Sequence, residues 1–177
     1  MTLLVGISDA SAFTDAAPID TNSGVRYSSF TASVSGNATL LYVYLPEVRT
    51  AAPFKLGLWS STGTLLAATS ALPGSNGGAG WYSASISSTA ITASTVYILG
   101  MMANATAGAG FPDNPYRAEN PADAGSGSLL NTGGTYPTVP NVAPGSDFGS
   151  EGRIPMYADG TTGGAAPTGR GLLLGVG

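Results

Sequence analysis

Cysteine and histidine are both absent from the 177-residue chain. Without thiolate or imidazole, the Ser-His and Cys-His nucleophile systems are excluded, as are zinc sites built on those ligands. No disulfide can staple the fold, and a chain of this length buries enough apolar surface to do without one. Charge is scarce too: Asp, Glu, Lys and Arg make up 9% of the residues, against about 25% in a typical soluble domain. Lys55 is the only lysine, and Arg26, Arg49, Arg117, Arg153 and Arg170 are scattered along the chain. A surface that tracks phosphates needs a basic stripe, so nucleic acid is not an expected partner. No run approaches the roughly 20 apolar residues of a membrane helix, and no membrane partner is expected. Residues 1–6 carry no basic n-region, which predicts synthesis in a cytoplasm without an export signal.

Several things are abundant. Hydrophobic residues reach 43%, with mean hydropathy +0.19 and net charge −4. Disordered chains combine low hydropathy with high net charge, so this chain is expected to fold. The 26 glycines and 12 prolines interrupt the sequence too often for long helices. What remains for a surface with so little charge is Ser, Thr, Asn, Gly and Ala. Such a surface suits extracellular space or a large assembly.

Strand signals are regular from Gly24 onward. A short apolar strand opens the chain, residues 24–34 are rich in β-branched and aromatic residues, and Gly36-Asn37 reads as a turn. In residues 38–45, Leu41, Val43 and Leu45 alternate with Leu40, Tyr42 and Tyr44. In residues 54–60, Phe54, Leu56 and Leu58 oppose Lys55, Gly57 and Trp59, and Ser61-Thr62-Gly63 reads as a tight turn into residues 64–68. Further strands are expected at 81–86, 95–103, 153–158 and 170–176. The run with Val96, Ile98 and Leu99 is apolar enough to be central and covered on both faces. Residues 104–140 break the pattern and read as a long irregular loop. The expected fold is therefore all-β: one domain over 1–177, a two-sheet antiparallel sandwich of jelly-roll type.

Candidate sites follow from this layout. Leu41, Val43 and Leu45 claim the core face of their strand, so Leu40, Tyr42 and Tyr44 need another cover. The long loop or a neighbouring subunit would serve, which makes these three a candidate interface. Trp59, Trp81, Tyr116 and Tyr136 are candidate stacking platforms for a glycan, with core packing the stronger reading at both tryptophans and more so at Trp81. Tyr116 and Tyr136 could equally anchor the loop to the sandwich. No cofactor is expected. Calcium is the one ion weighed, with oxygen ligands from Asp9, Asp15, Asp20 and Asn22 or from Asp113 and Asn114, but the spacing is not that of an EF-hand. A paired-carboxylate glycosidase would need two acids about 5–10 Å apart. The ten acids form no active-site motif, and the protein is not expected to be an enzyme.

Three stretches carry a family resemblance. They are Phe30-Thr31-Ala32-Ser33-Val34-Ser35-Gly36 with Leu41-Tyr42-Val43-Tyr44, then residues 56–67 from Leu56-Gly57-Leu58-Trp59 to Leu65-Leu66-Ala67, and Gly80-Trp81 with Ile91-Thr92-Ala93-Ser94-Thr95-Val96-Tyr97. Together they span residues 24–103 and resemble the bacterial surface β-sandwich family called domain of unknown function 4082. That family is grouped with carbohydrate-binding-module-like jelly rolls. The later segment, Tyr136-Pro137 through Ile154-Pro155-Met156-Tyr157-Ala158, resembles parts of phage tail-fibre and head-decoration proteins. These resemblances imply a fold and surface binding, and carry over no catalytic residue. The expected function is a bacteriophage virion structural protein, a capsid decoration or a tail or fibre component. It would meet other virion proteins and form a homo-oligomer. The alternative is a carbohydrate-binding module for host or environmental glycans.

Overall fold

A computed structural model of the chain describes residues 1–9, 16–18, 25–45, 53–73, 80–103, 113–115, 129–131, 136–142 and 155–163. Eleven strands and no helix occur among them: β1 (Thr2–Gly6), β2 (Ala16–Pro18), β3 (Val25–Thr31), β4 (Gly36–Leu45), β5 (Phe54–Ser60), β6 (Leu65–Ala68), β7 (Gly80–Ile91), β8 (Val96–Ala103), β9 (Asp113–Pro115), β10 (Leu129–Asn131) and β11 (Met156–Thr162). A four-stranded sheet has the order β1-β11-β4-β7, and a five-stranded sheet the order β10-β3-β8-β5-β6. All pairings are antiparallel, and β2 and β9 form a separate ribbon. The chain passes from β1 to β3, back to β4, across to the β5–β6 hairpin, back to β7, across to β8 and back to β11. That alternation is the jelly-roll order, with β10 added at one edge.

The alternation of side chains explains the sandwich. Leu41, Val43 and Leu45 from β4 meet Phe54, Leu56 and Leu58 from β5 and Leu99 and Met101 from β8 in one fully buried core. β8 lies between β3 and β5 and is covered on both faces, as its apolar run predicts. Leu99 and Met101 face the main core, whereas Ile98 and Met102 belong to a second cluster on the outer side of the sheet. The turn at Ser61-Thr62-Gly63 forms as expected. Gly63 has φ 83° and donates its N–H to the Ser60 carbonyl at 2.9 Å.

Other expectations shift. Gly36-Asn37 is not a turn but the start of β4, paired with Thr162 and Thr161. A side chain at Gly36 would collide with the Thr161 carbonyl, so close strand approach accounts for this glycine. β7 continues past Ile86 to Ile91, and β11 begins at Met156 and runs to Thr162. Both extensions are rich in Ser, Thr and Gly, which gives no apolar alternation to read. The stretch 104–140 contains the short strands β9 and β10. The expected strand at 170–176 lies outside the described residues. Among the described residues, no cluster of three or more His, Cys, Asp or Glu could hold a metal ion. Asp9 is exposed beyond β1, while Asp15, Asp20 and Asn22 lie outside the described residues. Asp113 and Asn114 form part of β9, in register with Pro18 and Ala17. No described helix is long and apolar enough to cross a membrane.

Candidate binding surface

The two sheets treat their outward aromatic residues differently. On the five-stranded sheet, Trp59 points away from the main core and is nevertheless fully buried. Its ring lies over Gly57, where any added side chain would strike the indole. Gly100 is the cross-strand neighbour of Gly57, so two adjacent glycines leave a flat shelf for the ring. Residues 136–142 close over it. The indole Nε1 donates to the Pro140 carbonyl at 2.8 Å, and Val139 and Val142 join the cluster with Val25, Tyr27, Ile98 and Met102. Two further bonds tie this cover to the β5–β6 hairpin. Asn141 Oδ1 accepts from the Leu65 N–H at 2.8 Å, and the Val142 N–H donates to the Gly63 carbonyl at 2.9 Å.

Trp59 therefore has no free ring face, which corrects the expectation of a glycan contact there. Tyr136 is half-buried and packs against the same cluster. It acts as an anchor for the covering segment, and burial pushes its phenol above the usual tyrosine range. Tyr116 lies outside the described residues.

On the four-stranded sheet, Tyr42, Tyr44, Trp81 and Tyr157 form an outward cluster in which every ring is half-buried. Strand register places them together. Tyr42 lies opposite Tyr157 and Ser83, and Tyr44 lies opposite Trp81. Tyr42 and Tyr157 stack with centroids 4.3 Å apart and planes 6° apart. Trp81 meets Tyr157 at 5.0 Å and 70°, and Tyr44 at 5.5 Å and 68°. Leu40 continues the row, half-buried and opposite Asp159 and Ser85. The expected interface trio of Leu40, Tyr42 and Tyr44 thus shares one face. Segment 136–142 covers the other sheet, while β9, within the stretch 104–140, lies against β4 of this one.

Trp81 corrects its expected place in the core. Tyr82, the next residue along β7, faces inward instead and meets Phe54 edge-on at 6.2 Å. Ile86 shares the inward parity of Tyr82 and is buried, a signal that already assigns Trp81 to the outer face. Tyr157 was missed as a site residue because the strand signal around it is short.

Asp159 lies on β11 two residues beyond Tyr157 and is only 7% exposed. Its Oδ1 accepts from the Gly160 N–H at 2.6 Å. Burial is the main cause that raises the Tyr157 phenol above its usual range, with the neighbouring Tyr42 and Asp159 adding to it. The phenol therefore stays protonated near neutral pH. The cluster offers apolar area and hydroxyl groups, with no activated nucleophile among its members. No protein-family model matches the chain, and no curated protein is similar to it.

Proposed function

We propose that the protein is a bacteriophage virion structural protein that docks through the outer face of its four-stranded sheet. The observation that carries this reading is the half-buried cluster of Tyr42, Tyr44, Trp81 and Tyr157, on a face that segment 136–142 does not cover. Tyrosine and tryptophan are enriched at protein interfaces because each combines a large apolar body with one polar group. A chain with only 9% charged residues suits life within an assembly, where neighbours cover much of each subunit. The mutual packing of the rings supports docking over sugar stacking. Tyr42 and Tyr157 spend one face each on the other, and Trp81 stands edge-on to two neighbours. A pyranose needs an open ring face.

Immunogold labelling of the phage particles that carry this gene tests the reading. Regular decoration of heads or tails is the expected result, and particles without label overturn it. A carbohydrate-binding module is the second reading, favoured by the partial exposure of Trp81. A glycan array that gives a clear signal abolished by Trp81→Ala would establish it in place of the first.

A further inference from the structure

We propose that the β7 edge is a self-association site, at which a second copy of this chain adds its own β7 antiparallel. Among the described residues β7 pairs only with β4, and no described strand lies on the other side of its backbone. Sheet edges of this kind are normally guarded by charge, proline or brevity. The opposite flank of the sandwich follows that rule, since its edges are the five-residue β1 and the three-residue β10. β7 has twelve residues, with neither a charge nor a proline among them.

The lack of charge extends well beyond this strand. From Leu56 to Pro112 the sequence holds no Asp, Glu, Lys, Arg or His. That stretch supplies β6, the edge of the other sheet, which lies beside β7 on the same flank and exposes Leu66. Among the described residues, the flank formed by β6 and β7 therefore carries no charge.

The pairing segment is Gly80–Ser85, where β7 runs in unbroken register against β4. Beyond it the strand bulges: Leu40 faces Ser85 but Ala38 faces Thr89, and the Thr89 hydroxyl donates to the Ser87 carbonyl at 2.8 Å. The bulge ends the regular edge and fixes its length.

A second copy is the occupant that the chemistry favours. Two neutral edges meet without like-charge repulsion, and a two-fold axis normal to the sheet makes the contact closed and isologous. The two four-stranded sheets then become one continuous eight-stranded sheet. Both aromatic clusters lie on the same side of it, with the two Trp81 residues nearest the junction. The pairing does not depend on which molecule meets the aromatic face.

Ser83→Lys with Ser85→Lys tests this, because both serines are exposed and the change sets like charges across the junction. Sedimentation velocity over a dilution series is expected to show a wild-type dimer, weakened at least about tenfold in the double variant. Thr2→Lys on the far edge and Tyr42→Ser one strand inward are expected to leave the dimer intact. Hydrogen exchange on the wild-type protein is a second readout, with amides of residues 80–85 more protected at high concentration than at low. A wild-type monomer at every concentration, a double variant that dimerises as well as wild type, or exchange independent of concentration would each overturn the proposal.

Discussion

Trp59 and Trp81 both sit on strands and both point away from the main core, yet one is sealed and the other is not. The difference lies in what returns over them. Segment 136–142 brings Val139, Val142 and the Pro140 carbonyl onto Trp59, so its apolar surface and its N–H are both satisfied by the chain itself. Among the described residues, the ring contacts of Trp81 are with neighbours on its own sheet, Tyr44 and Tyr157. An outward aromatic residue on this sandwich is thus sealed into a second core where segment 136–142 folds back over it, and left half-buried where that segment does not reach.

The largest test of that contrast is Trp59→Ala. Removing a fully buried indole is expected to cost about 3–5 kcal/mol, read from denaturant unfolding. Trp81→Ala should cost markedly less, because its ring is only partly buried. A similar loss at both positions would erase the distinction. Tyr42→Ser sharpens it from the other side. Losing the stack on Tyr157 is expected to lower stability by about 1 kcal/mol, while binding to the proposed virion partner falls much further. Asn141→Ala removes the acceptor for the Leu65 N–H and should cost about 1 kcal/mol or less, since that bond is exposed.

The smallest effect concerns pH. The Tyr157 phenol is raised in the folded state, so the folded protein holds this proton more tightly than the unfolded chain does. Its contribution is complete below about pH 10, the unfolded tyrosine value, and is lost as pH rises through the higher folded value. Tyr157→Phe should therefore flatten the decline of melting temperature in that alkaline window. An unchanged slope would show that the phenol is less enclosed than its ring contacts indicate.

Much of this arrangement is legible in the sequence. The alternation at Leu41, Val43 and Leu45, and again at Phe54, Leu56 and Leu58, assigns core faces that the structure keeps. The apolar run at Ile98 and Leu99 marks β8 as a central strand, because only a strand covered on both faces can lack polar positions. Trp81 shows where residue type misleads. Tryptophan suggests a core, yet the parity of Tyr82 and Ile86 puts it outside. The destination of residues 136–142 is a different matter. Their valines say that the segment packs somewhere, but the choice of sheet depends on the shelf at Gly57 and Gly100, formed by strands distant in sequence. Long-range pairing of this kind leaves no local periodicity. The β7 edge is hidden for the same reason, since strand order alone decides which strands lie outermost.

The chain has only two tryptophans, one on each outer face, so oxidative footprinting of the indoles addresses the central claim most directly. In the free protein Trp81 is expected to react readily and Trp59 to resist. In the assembled particle Trp81 should become protected, with Trp59 unchanged. Equal reactivity of the two in the free protein, or a Trp81 that oxidises as fast in the particle as in solution, would contradict the account.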